Sequence, residues 1–382
     1  VRELSDRYGL DVDPEAKVKD ISVGMEQRVE ILKALYREAE VLILDEPTAV
    51  LTPQEVKELY KIMDFLTEQG KSIIFITHKL KEVLAISDRI TVLRDGKSIG
   101  TVTTEETSEP QLAEMMVGRE VLLEVDKKPA KPGELAVEVN NLSVLDNRGV
   151  EALNDISFSI KEGEILGIAG VEGNGQTELI EVLSGLREAS RGEFKLKGEE
   201  LLNDSARKIK EAKVAHVPED RHKHGLVLDY TIEDNLILGY HYQSPFAEGI
   251  NFAFDELATH AQDLIDEYDI RPQNKDALVR SLSGGNQQKV IIAREFALNP
   301  EFLIASQPTR GVDIGAIEFI HQRIIEQRDE GKAVLLVSAE LSEIMSLSDR
   351  IAVMYEGEIV DILPVEEATE EKLGLLMAGG KI

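Results

Sequence analysis

Apolar residues fall along this chain in two rhythms. Short continuous runs, "VLILD" (Val41–Asp45), "SIIFIT" (72–77), "RITVLRDG" (89–96) and "EILGIAG" (164–170), are bounded by glycine or polar groups and read as short buried strands. Between them lie stretches with helical spacing. "PQEVKELYKIMDFLTEQG" (53–70) is one, and Thr52-Pro53-Gln54-Glu55 at its start combines a capping box with proline at the first helical position. "ELIEVLSGL" (178–186) is another, directly after a glycine-rich loop. Alternating strands and helices predict an α/β fold with a mainly parallel sheet, in which ligands sit beyond the carboxyl ends of the strands.

The pattern also repeats. "ISVGMEQRVEILKALYREAEVLILDEPT" (21–48) and "LSGGNQQKVIIAREFALNPEFLIASQPT" (282–309) align without a gap, so that Ser22 falls on Ser283, 261 residues further on. The same offset carries Pro47 to Pro308, Thr77 to Ser338, Ser87 to Ser348 and Gly96 to Gly357. A repeat of that extent is a duplicated domain. The second copy is preceded by roughly 150 residues of its own that have no first-copy counterpart, the size of a domain front. "EVDKKPAKPGE" (124–134) has the charge, prolines and glycine of an exposed linker. The boundaries expected are therefore a first, truncated domain over 1–124, a linker over 125–134 and a second domain over 135–382.

Composition narrows the partners. The 382 residues include 72 acidic and 43 basic side chains, a formal charge of -29, which repels phosphate backbones and anionic headgroups, so direct nucleic-acid binding is not expected. No run approaches the ~18 apolar residues that span a bilayer, and no charged-then-apolar leader opens the chain. The absence of cysteine excludes disulfides, zinc–thiolate sites and thiol catalysis, and suits a reducing cytoplasm. An opening Val1 reads as part of a longer protein.

Two motifs carry phosphate chemistry. "GVEGNGQT" (170–177) follows a strand and leads into a helix; Gly170, Gly173, Asn174, Gly175 and Thr177 fit G-x-x-x-x-G-K-[ST], with Gln176 in place of lysine. Such glycines let backbone N–H groups curl around phosphates, the helix N-terminus adds partial positive charge, and the threonine is placed to ligand Mg2+, but glutamine supplies no cation. The competing reading is a strand–helix turn without a ligand. "SLSGGNQQKV" (281–290) sets Ser283 as an N-cap, with Gly284 and Gly285 permitting close approach of an anion. In both copies this motif precedes an apolar strand by one helix.

In that order the chain resembles a twin-cassette ABC transporter ATPase, with phosphate loop, signature motif (Ser283, Gly284, Gly285 and Gln288), acidic strand end and switch histidine. The resemblance covers the whole chain, except that the first cassette's phosphate loop would lie upstream of Val1. It implies P-loop NTPase cassettes, each with a mainly parallel sheet and a helical subdomain, and the cofactors ATP and Mg2+. It assigns Asp45 to Mg2+, Glu46 to the attacking water and His78 to the γ-phosphate. The second copy replaces all three, with Ser306, Gln307 and Ala339, and has Glu219 where the family's Q-loop usually has glutamine. Serine is a poor metal ligand, glutamine accepts no proton and alanine makes no side-chain hydrogen bond.

The resemblance further implies that each nucleotide is held by one cassette's phosphate loop and the other's signature motif. Asp45, Glu46 and His78 would then face Ser283-Gly284-Gly285, with Asp313 contributing through the D-loop. Gly170 to Thr177, Ser306, Gln307 and Ala339 would face "SVGMEQ", where Ser22 and Gly24 remain but Val23 replaces the first glycine. The defects gather in one site, so one site is expected to hydrolyse and the other at most to hold nucleotide. By itself the 382-residue chain is expected to be inactive.

"GIAGVEGNGQTEL", "VPEDRHKHGLVLDYTIEDNL" and "ASQPTRGVDIGAIEFIH" look most like bacterial nucleoside importers, with importers of simple sugars such as ribose or galactose as the alternative. The expected partners are membrane permease subunits, an extracellular solute-binding protein reached through them, and a second ATPase copy in the full-length form, at the cytoplasmic face of the membrane. Residues 229–276 would form the helical subdomain that meets the permease. Two other classes remain in view: a paired ATPase acting on ribosomes or DNA, and a non-hydrolytic nucleotide-binding module.

Overall fold

The computed structural model describes residues 1–382 other than 9, 11, 18–20, 22, 38, 49–50, 52, 95, 120–126, 172, 250 and 381–382, and describes only the backbone at 6, 23, 24, 53 and 54. It divides into two compact units, Val1–Leu123 and Glu124–Ile382.

The first unit runs α1 (Arg2–Tyr8), α2 (Val23–Tyr36), β1 (Val41–Asp45), α3 (Pro53–Glu68), β2 (Ser72–Ile76), α4 (Leu80–Ile86), β3 (Arg89–Arg94), β4 (Lys97–Thr103) and α5 (Glu109–Val117). Strands β1 and β2 are parallel and in register from Val41–Ser72 to Asp45–Ile76. Strands β3 and β4 form a separate antiparallel pair. Helix α3 begins at Pro53 as its pattern predicts, while Thr52 of the expected capping box lies outside the described residues.

The second unit opens with β5 (Leu135–Leu145), β6 (Glu151–Lys161), β7 (Ile165–Ala169), α6 (Gln176–Leu183), β8 (Arg191–Leu196), β9 (Glu199–Glu200), α7 (Ala206–Glu211) and β10 (Val214–Val217). It continues with α8 (Ile232–Leu236), the hairpin β11 (Ala247–Glu248) and β12 (Asn251–Phe252), α9 (Phe254–Glu267), α10 (Gly284–Ala297), β13 (Phe302–Ser306) and α11 (Ile314–Asp329). It closes with β14 (Ala333–Val337), α12 (Leu341–Leu347), β15 (Arg350–Tyr355), β16 (Glu358–Pro364) and α13 (Glu370–Met377). A six-stranded sheet has the order β10-β13-β14-β7-β15-β16, parallel except for β16. The phosphate-loop strand β7 is thus central, buried along its whole length, and its carboxyl end opens beside those of β13 and β14.

The two copies bury equivalent strands differently. Phe302, Ile304, Leu335 and Val337 face a core built with β5, β6, β8 and α6, whereas Leu303, Ala305, Val334 and Leu336 face α10 and α11. In the first unit only the second of these faces is covered: Leu42 is 3% exposed while Ile43 is 65% exposed, against 0% for Ile304. The continuous apolar runs of β1 and β2 therefore do not mark strands buried on both faces here. In the second unit that face is covered by β5, β6, β8 and α6, which precede the repeated segment.

Residues 127–133 are exposed or half-buried, as their composition predicts, and they are also bonded to the second unit. Lys127 Nζ donates to Ser348 O at 2.5 Å and pairs with Asp349 at 3.3 Å, the fully buried Arg328 donates to Lys128 O at 2.9 Å, and Gly133 N donates to Glu162 O at 2.8 Å. Their polar backbone is fastened along the second unit.

Candidate functional site

In the first unit the acidic pair ends β1. Asp45 closes the ladder opposite Ile76, and Glu46 turns sharply away with φ 44°, its N–H donating to Ile76 O at 2.8 Å. A non-glycine residue in that left-handed region is strained and is held by its surroundings. The holding groups are visible: Glu46 Oε1 accepts from His78 N at 3.2 Å and lies 2.8 Å from His78 Nδ1, and Thr77 Oγ1 donates to Oε2 at 3.3 Å. Burial opposes ionisation of this carboxyl, but the His78 ring and the Thr77 hydroxyl outweigh it and keep the group below its ordinary value. Asp45, Glu46 and His78, expected together from sequence, do converge at one strand end.

The second unit keeps this frame with neutral groups. Gln307 has φ 46°, donates from N to Val337 O at 2.7 Å, and accepts from Ala339 N at Oε1 over 3.1 Å. Ser306 is buried at the end of β13. The backbone and amide geometry of Glu46 are reproduced, while the charge and the imidazole are gone.

Between β7 and α6 the phosphate loop takes the shape that its glycines allow. Gly173 and Gly175 have φ 92° and 105°, and a Cβ on Gly175 would lie 2.8 Å from Ala152 O. Asn174 Oδ1 accepts from Glu356 N at 2.9 Å. Gln176 opens α6 and folds its amide back, donating from Nε2 to Val171 O at 3.1 Å; a Cβ on Gly170 would meet that same amide at 2.3 Å. Thr177 lies exposed in the first turn.

Ser283 caps α10 as its position predicts, its Oγ accepting from Asn286 N at 3.4 Å and Asn286 Nδ2 at 3.0 Å. Gly284 and Gly285 form the first turn, and Gln288 is buried one turn further on. Asp313 caps α11 by accepting from Ala316 N at 3.0 Å. Glu219 is ion-paired with Arg310. In the first copy Gly24 falls in the first turn of α2, whereas Ser22 lies outside the described residues.

Several polar contacts near these strand ends carried no motif. Thr48 Oγ1 donates to the buried Glu82 at 2.7 Å, and Thr309 Oγ1 to the buried Glu343 at 2.8 Å, positions related by the repeat offset. That coincidence of identical residues was the available signal. His321 Nε2 lies 2.7 Å from Glu343 Oε1. His222 Nε2 lies 2.9 Å from Gln287, and the Nε2 of His216 is enclosed, so burial pushes His216 down to about 4 and it is neutral in the folded protein. In the helical subdomain Tyr240 and Phe246 are core residues, while Tyr230, Phe252 and Phe254 are exposed.

A parallel sheet with a glycine loop at its central strand and a capped helix beginning Ser283-Gly284-Gly285 in the second unit, and an acidic strand end in the first, are the parts of an ATP-binding cassette, a class of P-loop ATPase. The family model for "ABC transporter" matches residues 1–49 and 153–310. The chain is 55% identical over 99% of its length to the guanosine import ATP-binding protein NupO of Bacillus subtilis, covering 74% of that protein. It is 50% identical over its whole length to the nucleoside import ATP-binding protein NupA of Lactococcus lactis, covering 76%, and 50% identical to the glucose import ATP-binding protein TsgD13 of Haloferax volcanii, covering 70%. A solved nucleotide-free ATP-binding cassette from an ABC transporter superposes with a TM-score of 0.53 at 22% identity, over 64% of this chain and 95% of that one, a likeness of fold. The chain belongs to the ABC transporter family, as an ATP-binding, ATP-hydrolysing component. Among the described residues no helix is long and apolar enough to cross a membrane.

Proposed function

We propose that this chain is the ATP-hydrolysing subunit that energises import of nucleosides through an ABC transporter, acting at the cytoplasmic face of the membrane on permease subunits supplied by an extracellular solute-binding protein. The observation that carries the solute class is the 55% identity with a guanosine importer across 99% of the chain. Nucleoside and glucose importers both stand at 50%, so import of a simple sugar is the second reading.

Hydrolysis rests with the first copy. Glu46, ionised and anchored by His78 and Thr77, accepts a proton from the attacking water, and His78 beside it supplies a donor to the phosphate oxygens. Asp45, a hard oxygen donor at the end of β1, is the residue that would hold Mg2+. Bound by Asp45, Mg2+ would supply charge neutralisation at the phosphate oxygens. The second copy does not suit Mg2+: Ser306 and Gln307 are neutral, and the Glu219 carboxylate is paired with Arg310. Its phosphate loop is at most a holder of nucleotide, and Ser283, Gly284 and Gly285 contribute their helix N-terminus to the working site in the assembled ATPase.

Uptake of labelled nucleosides, ribose and glucose in cells lacking this component tests the solute class. Nucleoside uptake is expected to fall to background while both sugars continue to enter. Unchanged nucleoside uptake with loss of a sugar would establish the second reading instead.

A further inference from the structure

The ion pair between Glu219 and Arg310 joins the loop after β10 to the loop after β13. The same junction is fastened twice more. Arg221 donates from Nη1 to Arg310 O at 2.8 Å and from Nη2 to Gly311 O at 3.4 Å. Asp220 accepts from His222 N and Lys223 N at 2.9 and 3.0 Å, which fixes the turn carrying Arg221, and His222 reaches Gln287 of α10.

The signature motif packs against the same loop. A Cβ on Gly284 would stand 2.9 Å from Gly311 O and 3.0 Å from Arg221 Nη2, and one on Gly285 would stand 2.9 Å from Asp313 Oδ2. Loop and glycines are therefore in van der Waals contact, and a shift of the loop must shift the first turn of α10. Close-packed groups transmit displacement in this way, and a displacement of about 1 Å in a positioning element costs about 100-fold in rate. The first copy has Ala49 at the position of Arg310, so this pairing is particular to the second copy.

We propose that the Glu219–Arg310 ion pair is a positioning device, which sets residues 310–313 beneath Gly284 and Gly285 and thereby orients the signature motif for hydrolysis. It rests on the assignment of hydrolysis to the first copy's carboxylates. In a copy whose own strand end is neutral, a protein ion pair does the fixing. Arg310 and Glu219 are 47% and 30% exposed, so the pair adds little to stability, and an effect on rate is separable from an effect on folding.

The test is a charge swap in the full-length ATPase, reading kcat, KM for ATP and thermal midpoint. Glu219→Arg and Arg310→Glu should each lower kcat about five-fold or more with KM little changed, and the double variant should recover to within about two-fold of the parent. Single variants at the parental rate overturn the proposal. So does a double variant as impaired as both singles combined, or a loss that only follows a lowered thermal midpoint. Glu46→Gln assayed alongside separates the failures: turnover surviving that substitution refutes the assignment of hydrolysis, whereas failure of the swap alone refutes only the positioning role.

Discussion

Glu46→Gln in the full-length protein should lower ATP turnover by about 100- to 1,000-fold or more while leaving nucleotide binding and folding intact. The carboxylate is held below its usual range and is tied to His78. Glutamine keeps the shape and removes the ability to accept a proton. The chain itself contains the control for folding. Gln307 occupies the equivalent place with φ 46° against 44°, its N–H bonded to the next strand at 2.7 Å against 2.8 Å, and its Oε1 held by Ala339 N at 3.1 Å as Glu46 Oε1 is by His78 N at 3.2 Å. A loss of rate in Glu46→Gln is therefore a loss of chemistry. Phosphate release by the variant at more than a tenth of the parental rate would contradict the assignment.

The second large effect is on stability. Glu295→Ala should destabilise the second unit by about 3–5 kcal/mol, because it strips the carboxylate from the buried Arg294 and the half-buried Lys210. Glu295 is 2% exposed, bonded to Arg294 Nε at 2.7 Å and Lys210 Nζ at 3.2 Å, and it also accepts from His216 N at 3.3 Å. Burial works against its ionisation, yet the charges of Lys210 and Arg294 outweigh that and hold the carboxyl down at about 2. A depressed carboxyl contributes stability above its unfolded value of 4.5, and that contribution is lost as pH falls toward 2. Arg294 also donates to Gly225 O at 2.8 Å, so the network holds the signature helix α10 against the loop after β10. Thermal unfolding should show a midpoint lower by roughly 10 °C. A drop of less than about 2 °C would mean that the pair adds nothing beyond its own desolvation.

Much of the site was legible because the repeat offset laid one copy over the other. Asp45-Glu46 against Ser306-Gln307, and His78 against Ala339, needed only alignment, and Ser283 was a cap by its spacing from the next apolar run. What stayed hidden depended on burial supplied from elsewhere. Helix α10 is enclosed on nearly every side, so Gln287, Gln288, Arg294 and Glu295 are interior residues although their residue types read as surface. Conversely, β1 and β2 have the apolar runs of strands buried on both faces, but a run of Val, Leu and Ile cannot say whether a neighbour covers each face, and here one is open. The linker composition spoke of exposure, which holds, but it said nothing of Arg328 and Asp349, two hundred residues on, which tie the segment down. Glu219 stood out in the sequence only as a substitution for glutamine; its ion pair with Arg310 needed the structure.

The central claim is that one copy hydrolyses ATP and the other has been retired. Steady-state phosphate release by the full-length protein carrying Ser306→Asp and Gln307→Glu, alone and together with Glu46→Gln, tests it most directly. Alone, the two restored acids should leave turnover within about two-fold of the parent, because the second copy still lacks the lysine at Gln176 and the histidine at Ala339. Combined with Glu46→Gln, they should leave the protein inactive. Recovery of turnover in the combined variant would place working chemistry in the second copy and contradict the account.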